Sequence, residues 1–248
     1  MNFKQFLSLA IVAVVAITLF YGCKNEDEAP DTKANLELHI DFTVNGQAFV
    51  ANDIYTVNGT AVSFEIASFY VSGIEIEPED GSGNIAVAKH LLINATAGNQ
   101  EVTELGAGPY NMLKFDVGVQ PEANDQTEED FTSRSAEDPL SMQQPAMHWN
   151  WSSGYKFIRL DGLSDVDGDG TPETPIAYHL GTDQFLTNVA LQLHHDIEAG
   201  DNDLEIEVDL AKMLTDFDLT VELDTHTAND IPLAQKFAAN LATAFTVK

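Results

Sequence analysis

Runs of residues that alternate between apolar and polar side chains recur along most of this chain. Leucine, isoleucine, valine or phenylalanine occupies every second position of the segments 36–44, 113–119, 189–193, 204–210 and 217–223. Alternation with a period of two is typical of strands that have one buried and one solvated face. Turn-forming pairs, such as Asn45-Gly46, separate the runs. The pattern predicts an all-β domain with mainly antiparallel strands, either a β-sandwich or a barrel-like sheet with long loops.

Three further segments complete the predicted architecture. The segment from Val62 to Glu77 predicts one long strand or two consecutive strands. Helix is expected as a turn or two at 211–216 and as a short C-terminal helix that Asp230 caps, with Pro232 in its first turn. The polar, acidic stretch 121–147 predicts a long loop, and loops of this length in compact domains are often functional.

The N-terminus has the organisation of a bacterial lipoprotein signal peptide. Lys4 supplies a positive charge, an uncharged apolar stretch runs from Phe6 to Phe20, and Gly22 directly precedes Cys23, the single cysteine. The apolar stretch is short for a membrane-spanning helix, which needs about 20 apolar residues. We therefore predict a signal peptide at 1–22 and a lipidated Cys23. The alternative is an ordinary signal peptide followed by an incidental cysteine.

The segment after Cys23 is polar and acidic, which predicts a disordered tether at 23–34 and a single folded domain at 35–248. Its Lys24 and acidic residues resemble the surface-export signal of Bacteroidetes lipoproteins, although a generic acidic linker has the same composition. Lipid on Cys23 would anchor the domain at the bacterial outer membrane, facing the periplasm or the cell surface, without a transmembrane helix.

The charge balance limits the classes of partner. The chain has 40 acidic and 11 basic residues, for a net charge of −29. Binding to nucleic acid requires a surface of lysine and arginine, so no nucleic-acid partner is expected. An acidic surface attracts cations and cationic partners. The alternative interpretation is an adaptation to a salty habitat.

An acidic segment between two predicted strands has the composition of a calcium loop. Asp165, Asp167 and Asp169 alternate, Gly168 and Gly170 allow a tight bend, and Glu173 follows. This spacing resembles the start of an EF-hand loop, whose carboxylate oxygens suit Ca²⁺. The residue at the twelfth position is Ile176 rather than glutamate, and the flanking segments predict strands. We interpret the segment as a calcium loop in a hairpin, with an unliganded acidic hairpin as the alternative.

Both tryptophans lie in one short segment beside a histidine. Alternation places Trp149 and Trp151 on one face of a strand and His148 on the other. Two aromatic anchors in a core strand would produce the same pattern. The chain shows no zinc motif, no phosphate loop and no Ser-His-Asp order, so we do not expect an enzyme.

Several segments, in order along the chain, resemble the MbnP-like copper-binding family. The most specific is Met147-x-Trp149-x-Trp151-x-x-Gly154-Tyr155-x-Phe157. The other matching segments are 64–74, with a Y-x-S-x-I core; Gly108-Pro109-Tyr110 followed by 113–119; Tyr178-His179-Leu180-Gly181; and His226 with 239–245. The resemblance covers roughly residues 35 to 248.

This resemblance implies a secreted all-β domain that binds one copper through histidine imidazoles and a tryptophan oxidised to kynurenine, with a di-haem peroxidase-type partner. On that basis the expected copper residues are His226, His39, Trp149 and Trp151, with His148 and His179 in reserve. Many members have a histidine next to V-N-G in the first strand, whereas this chain has Phe42-Thr43-Val44-Asn45-Gly46, and His39 lies three residues earlier. Imidazole suits copper, which lies high in the affinity series of divalent metals.

The sequence therefore favours an exported lipoprotein that stores, acquires or handles copper and that also contains a structural Ca²⁺ site. The main alternative is a non-catalytic β-sandwich adhesion or carbohydrate-binding module, in which the tryptophan pair stacks on sugar. A hydrolase of an unrecognised type is a third hypothesis, and no visible constellation of nucleophile and base favours it.

Overall fold

The structure is a computed structural model, and it describes residues 32–150, 153–193 and 196–248. The predicted signal peptide, Cys23 and most of the predicted tether lie outside the described residues, as do Trp151, His194 and His195. Within the described residues, no helix is long and apolar enough to cross a membrane.

Strands dominate the part of the chain that the structure describes. They are β1 (Lys33–Val44), β2 (Gln47–Ala48), β3 (Ile54–Val57), β4 (Thr60–Pro78), β5 (Ile85–Val87), β6 (Leu91–Asn94), β7 (Gln100–Gly106), β8 (Tyr110–Val117), β9 (His148–Asn150), β10 (Gly154–Ser164), β11 (Thr174–Gly181), β12 (Thr187–Gln192), β13 (Gly200–Asp209), β14 (Asp224–His226) and β15 (Phe245–Val247). The helices are α1 (Pro121–Asn124), α2 (Glu128–Thr132), α3 (Leu210–Met213) and α4 (Ile231–Leu241), and a 3₁₀ turn spans Asp183–Phe185.

The strands form two sheets. Sheet A has the order β15-β13-β1-β2, with β7 also paired to β1. Sheet B has the order β12-β8-β4-β10-β11-β14; β3, β5 and β6 also pair with β4, and β9 pairs with β10. Most pairings are antiparallel, but β1 runs parallel to β13 and β11 runs parallel to β14. The second of these parallel pairings positions the candidate site described below.

The main core lies between the sheets and contains the apolar residues of the alternating runs. Leu36 and Leu38 of β1 are almost fully buried, as are Leu204 and Ile206 of β13. The side chain of Phe245 on β15 connects the two sheets. Its ring makes edge-to-face contacts with Phe69 and Phe115 of sheet B, at centroid distances of 5.5 and 5.4 Å. Burial of each such side chain contributes roughly 1.5–3 kcal/mol.

A second apolar cluster lies under the segment 121–147. Its buried members are Tyr70, Val119, Phe131, Leu140, Met147, Tyr155 and Phe157. The Tyr155 hydroxyl donates to the carbonyl oxygen of Leu140 at 2.6 Å, and the Tyr70 hydroxyl donates to that of Pro139 at 3.1 Å. The acidic segment that predicted a loop therefore contains two short helices and is held to sheet B by buried apolar groups.

The predicted all-β fold with a short C-terminal helix is confirmed. The segment 62–77 is one continuous strand, β4. The Asp230 side chain caps α4 by accepting from the Leu233 N–H at 3.0 Å, as predicted. Strand β1 begins at Lys33, so Lys33 and Ala34, which the sequence placed in the tether, belong to a strand.

The predicted strand at 217–223 is wrong, because this segment forms turns. Phe217 and Leu219 are nevertheless buried, which explains the alternation. The Asp218 carboxylate accepts from both the N–H and the hydroxyl of Thr220, and such local hydrogen bonds favour a turn over a strand.

Candidate metal site

Two histidines that are 47 residues apart in the chain meet at the edge of sheet B. His179 of β11 pairs directly with His226 of β14 in the parallel register. Their Nδ1 atoms are 3.0 Å apart, and the ring centroids are separated by 4.7 Å. His179 is buried and His226 is exposed, so the pair is open to solvent on the β14 side. Two imidazole nitrogens that face each other at this distance have the donor chemistry of a metal site.

Asp161 and Arg159 of β10 adjoin the buried histidine. The Asp161 Oδ1 atom lies 2.5 Å from Nε2 of His179, and the Arg159 Nε atom donates to Asp161 Oδ2 at 2.7 Å. Arg159 lies opposite His179 in the antiparallel register. All three side chains are at most 18 % exposed, so solvent screens their interactions weakly.

Burial and hydrogen bonding act in opposite directions on these groups. Burial lowers the pKa of His179, although the hydrogen bond with Asp161 partly opposes this. Burial would raise the pKa of Asp161, but the contacts with His179 and Arg159 outweigh it and lower that pKa. Both directions favour a neutral imidazole beside an ionised carboxylate, and neutral imidazole is the form that binds metal.

Two threonines beside the histidines have unusual backbone conformations. Thr227, directly after His226, has a φ of 66°, and Thr182, three residues after His179, has a φ of 67°. Positive φ is rare for β-branched residues and costs on the order of 1–3 kcal/mol, and such strain clusters at functional sites. The buried Thr227 hydroxyl accepts from the Gly181 N–H at 3.0 Å and donates to the His179 carbonyl oxygen at 3.2 Å. Thr227 thereby joins the end of β14 to β11.

Replacing Thr227 by valine keeps the shape of the side chain and removes this bridging hydroxyl. We expect Thr227→Val to lower the free energy of unfolding by about 1–3 kcal/mol, because a buried N–H loses its acceptor. Thr227→Ser keeps the hydroxyl and is expected to lose less. Urea unfolding of the two variants tests this, and equal stability of the two would show that the bridge contributes nothing.

Trp149 packs against the same strand as His179. The outer edge of its indole lies where a Cβ atom on Gly181 would project, and that atom would also lie 2.5 Å from the Tyr155 carbonyl oxygen. Gly181 is two residues after His179 on β11, so the two positions share one face of the sheet. Trp149 is half-buried. Because Gly181 has no side chain, the indole of Trp149 can pack on the same face of the sheet as the histidine pair.

The structure gives the predicted copper residues His39 and His148 other surroundings. His39 is on β1 of sheet A, where Nδ1 lies 2.8 Å from Asn99 Oδ1 and Nε2 lies 3.1 Å from Asp41 Oδ1. His148 makes an edge-to-face contact with Phe131 at 4.5 Å. Its ring nitrogens are buried without a hydrogen-bond partner among the described residues, and burial lowers its pKa. Trp151 lies outside the described residues. The structure thus brings His226 together with His179 rather than with His39.

The predicted calcium loop joins β10 to β11. The carboxylates of Asp165, Asp167 and Asp169 have one oxygen each within 4.8 Å of the others. Asp165 is buried and accepts the N–H groups of Gly168, Asp169 and Gly170 at 2.8, 3.1 and 2.8 Å. Burial would raise the pKa of Asp165, but these donors outweigh it and lower that pKa. Glu173 is outside this group of three carboxylates.

Sequence reasoning did not identify Asp161, Arg159, Gly181 and Thr227 as parts of this site. Gly181 belongs to the H-L-G element and could have been considered. The other three gain their role from strand register, and carboxylates are too numerous in this chain for one to be selected by composition.

The family model described as MbnP matches residues 33–231, a range that includes both His179 and His226. Among solved structures, MbnP from Methylosinus trichosporium is similar with a TM-score of 0.55 and 16 % identity, covering 82 % of this chain and 87 % of that one, which supports the fold. No curated protein gave a significant sequence match. The family match extends over most of the chain and coincides with the all-β fold, and the chain belongs to the MbnP family.

Proposed function

We propose that this protein binds copper, and that His179 and His226 are the central ligands. The observation that carries the proposal is the 3.0 Å separation of their Nδ1 atoms. A metal about 2.0 Å from each nitrogen would subtend an angle of roughly 100°, which suits four-coordinate geometry. The pair therefore needs little rearrangement to accept a metal.

The chemistry of the donors favours a transition metal over calcium or magnesium. Imidazole nitrogen suits copper, zinc and nickel, whereas the alkaline-earth cations prefer oxygen ligands. Copper has the highest affinity of the divalent series for such a site. The resemblance of the sequence to copper-binding proteins supports copper within that group.

Trp149 is the tryptophan that we assign to the site. The resemblance implies that a tryptophan becomes kynurenine through a di-haem peroxidase-type partner, and kynurenine offers an aniline nitrogen and a carbonyl oxygen as possible ligands. Trp149 lies against Gly181, on the face that carries His179. Trp151 remains an alternative, and a sugar-binding role of the tryptophan pair remains the competing function.

Protein purified from its own host provides the test of this function. We expect about one copper per chain by elemental analysis and an oxidised Trp149 in peptides covering residues 135–156 by mass spectrometry. Protein expressed without the peroxidase partner should contain unmodified tryptophans. Host-derived protein without copper would contradict the proposal and favour the carbohydrate-binding alternative. Binding of the protein to a glycan array would then test that alternative.

A structural calcium site in the 165–169 loop is our second proposal. The mutual approach of three carboxylates within 4.8 Å supports it, because Ca²⁺ binds oxygen ligands at about 2.3–2.6 Å. Asp165, Asp167 and Asp169 would be the ligands, and Glu173 would contribute only after a local rearrangement. The strands on both sides, β10 and β11, are those that carry Asp161 and His179.

Chelation by EGTA is expected to lower the melting temperature by roughly 5–10 °C if calcium was present at about 100 times its dissociation constant. Asp167→Ala should abolish this response. The control is Glu205→Ala, which removes an exposed carboxylate from sheet A and should leave the response intact. An unchanged melting temperature in EGTA, with calcium absent by elemental analysis, would sink the proposal.

We further propose that the domain is anchored at the outer membrane through lipid on Cys23, as the N-terminal sequence predicts. Cys23→Ser is expected to prevent lipidation and to move the protein from the membrane fraction to the soluble fraction. Cell fractionation followed by immunoblotting measures this shift. Continued membrane association of the variant would mean that lipid is not the anchor.

A further inference from the structure

We propose that Asp161 is a positioning residue for the histidine pair, and that it acts by fixing the tautomer of His179. The expected effect on copper affinity rests on the proposed metal-binding function. The tautomer itself is a property of the metal-free protein and does not depend on that function. Asp161 would not touch the metal. It would decide which nitrogen of His179 has a free lone pair.

The geometry restricts where the proton of His179 resides. The ring has one nitrogen, Nε2, at 2.5 Å from Asp161 Oδ1, and the other, Nδ1, at 3.0 Å from His226. An ionised carboxylate accepts hydrogen bonds and cannot donate them. The proton of a neutral His179 must therefore be on Nε2, which leaves the lone pair of Nδ1 directed at His226.

The contact between the two histidines then has a defined direction. Since His179 Nδ1 has no proton, the Nδ1–H of His226 donates to it in the metal-free protein. If the two Nδ1 atoms held a metal, His226 would have to give up its Nδ1 proton and would carry a proton on its exposed Nε2 atom instead. The buried ring keeps the same tautomer in both states, so it requires no reorganisation.

Arg159 holds the carboxylate in place and joins it to the tryptophan segment. Its Nε donates to Asp161 Oδ2 at 2.7 Å, and its Nη1 donates to the Ala146 carbonyl oxygen at 3.0 Å. Ala146 lies three residues before Trp149. Contacts thus run from the segment that carries Trp149 through Arg159 and Asp161 to His179. Carboxylates that orient metal-binding histidines in this way commonly affect metal affinity by about 10–100-fold.

The variant Asp161→Asn tests the positioning role. An asparagine amide can donate to Nε2, which selects the tautomer with the proton on Nδ1 and blocks the ligand atom. We expect ¹⁵N NMR of the metal-free full chain to show His179 protonated at Nε2 in the wild type and at Nδ1 in the variant. Copper affinity of the variant should fall by about 10–100-fold.

The matched control is Asp41→Asn. Like Asp161, Asp41 contacts the Nε2 atom of a histidine: its Oδ1 atom lies 3.1 Å from Nε2 of His39. This pair, however, is on sheet A. Its replacement should leave both the tautomer of His179 and the copper affinity unchanged. If both variants lost affinity equally, the loss would reflect the removed negative charge, and the positioning role would be refuted.

The wild-type spectrum tests the inference even if Asp161→Asn does not fold. A wild-type His179 with its proton on Nδ1, or protonated on both nitrogens at pH 7.5, would overturn the inference. Equal copper affinity of the wild type and a folded Asp161→Asn would also overturn it. Absence of copper binding by the wild type would contradict the proposed function, and the NMR result would still decide the role of Asp161.

Discussion

Replacing either His226 or His179 by alanine is expected to weaken copper binding by at least about 100-fold, more than the loss of an orienting contact produces. Each substitution removes one of the two imidazole nitrogens that lie 3.0 Å apart, and a single imidazole is a weak site. Isothermal titration calorimetry, with a competing chelator for the wild type, measures the affinities. His226→Ala is the cleaner variant, because His226 is exposed and its removal leaves no cavity in the core.

The controls for this experiment are the predicted ligands that lie elsewhere. His39→Ala removes a histidine of sheet A whose two nitrogens already have protein partners. We expect it to retain the wild-type affinity. Full affinity in both His179→Ala and His226→Ala would refute the site. A loss of affinity in His39→Ala and His226→Ala, with full affinity in His179→Ala, would instead favour the ligand set that the sequence predicted.

Copper affinity is also expected to fall as the pH decreases through about 6.5, the ordinary value for an exposed imidazole. Protons compete with the metal for the imidazole lone pair, so acid weakens binding. Burial lowers the pKa of His179, so this ring remains neutral to lower pH than an exposed one. A flat affinity profile between pH 8 and pH 5 would contradict imidazole ligation.

Gly181→Ala is expected to lower the free energy of unfolding by about 3 kcal/mol, at the upper end of what an extra methyl group costs in a packed site. The added methyl group would overlap the indole of Trp149 and would lie 2.5 Å from the Tyr155 carbonyl oxygen. A side chain can move away, but this carbonyl belongs to the backbone of β10, where Tyr155 pairs with His148 of β9 and the next residue, Lys156, pairs with Gly181 itself. We therefore also expect Trp149 to be displaced, with a shifted tryptophan emission maximum.

Gly98→Ala is the matched control, because a Cβ atom at Gly98 meets nothing within 4 Å. Urea unfolding followed by circular dichroism compares the two variants with the wild type. Equal stability of Gly181→Ala and Gly98→Ala, with unchanged emission, would show that Trp149 does not pack against Gly181 as described.

Much of the fold follows from local patterns in the sequence. Burial follows the alternation along most of β1 and β13, because a strand with one face against a core repeats with a period of two. It departs from the alternation only at the strand ends, where the polar residues Thr43 and Asp209 are also buried. The start of α4 was predictable because Asp230 and Pro232 act locally on the first turn. The turns at 217–223 were not, because buried apolar residues also alternate in irregular structure.

Which residues form the candidate metal site could not be predicted from the sequence, because strand pairing in the folded protein brings them together. His226 lies in a strand of only three residues, and its neighbour is set by the parallel register of β14 against β11. A strand this short has little periodicity from which such a register could be predicted. Thr227 depends on the same register, whereas Asp161 reaches His179 through the antiparallel pairing of β10 with β11. The family resemblance pointed to both His179 and His226, but local sequence patterns could not show that they meet.

Location of the bound metal tests the central claim most directly. The measurement is a crystal structure of the copper-loaded protein with anomalous diffraction data collected at the copper absorption edge. Our account predicts one strong anomalous peak about 2.0 Å from Nδ1 of both His179 and His226, on the face that carries Trp149. A peak at His39 or at the 165–169 loop, with none between His179 and His226, would contradict it.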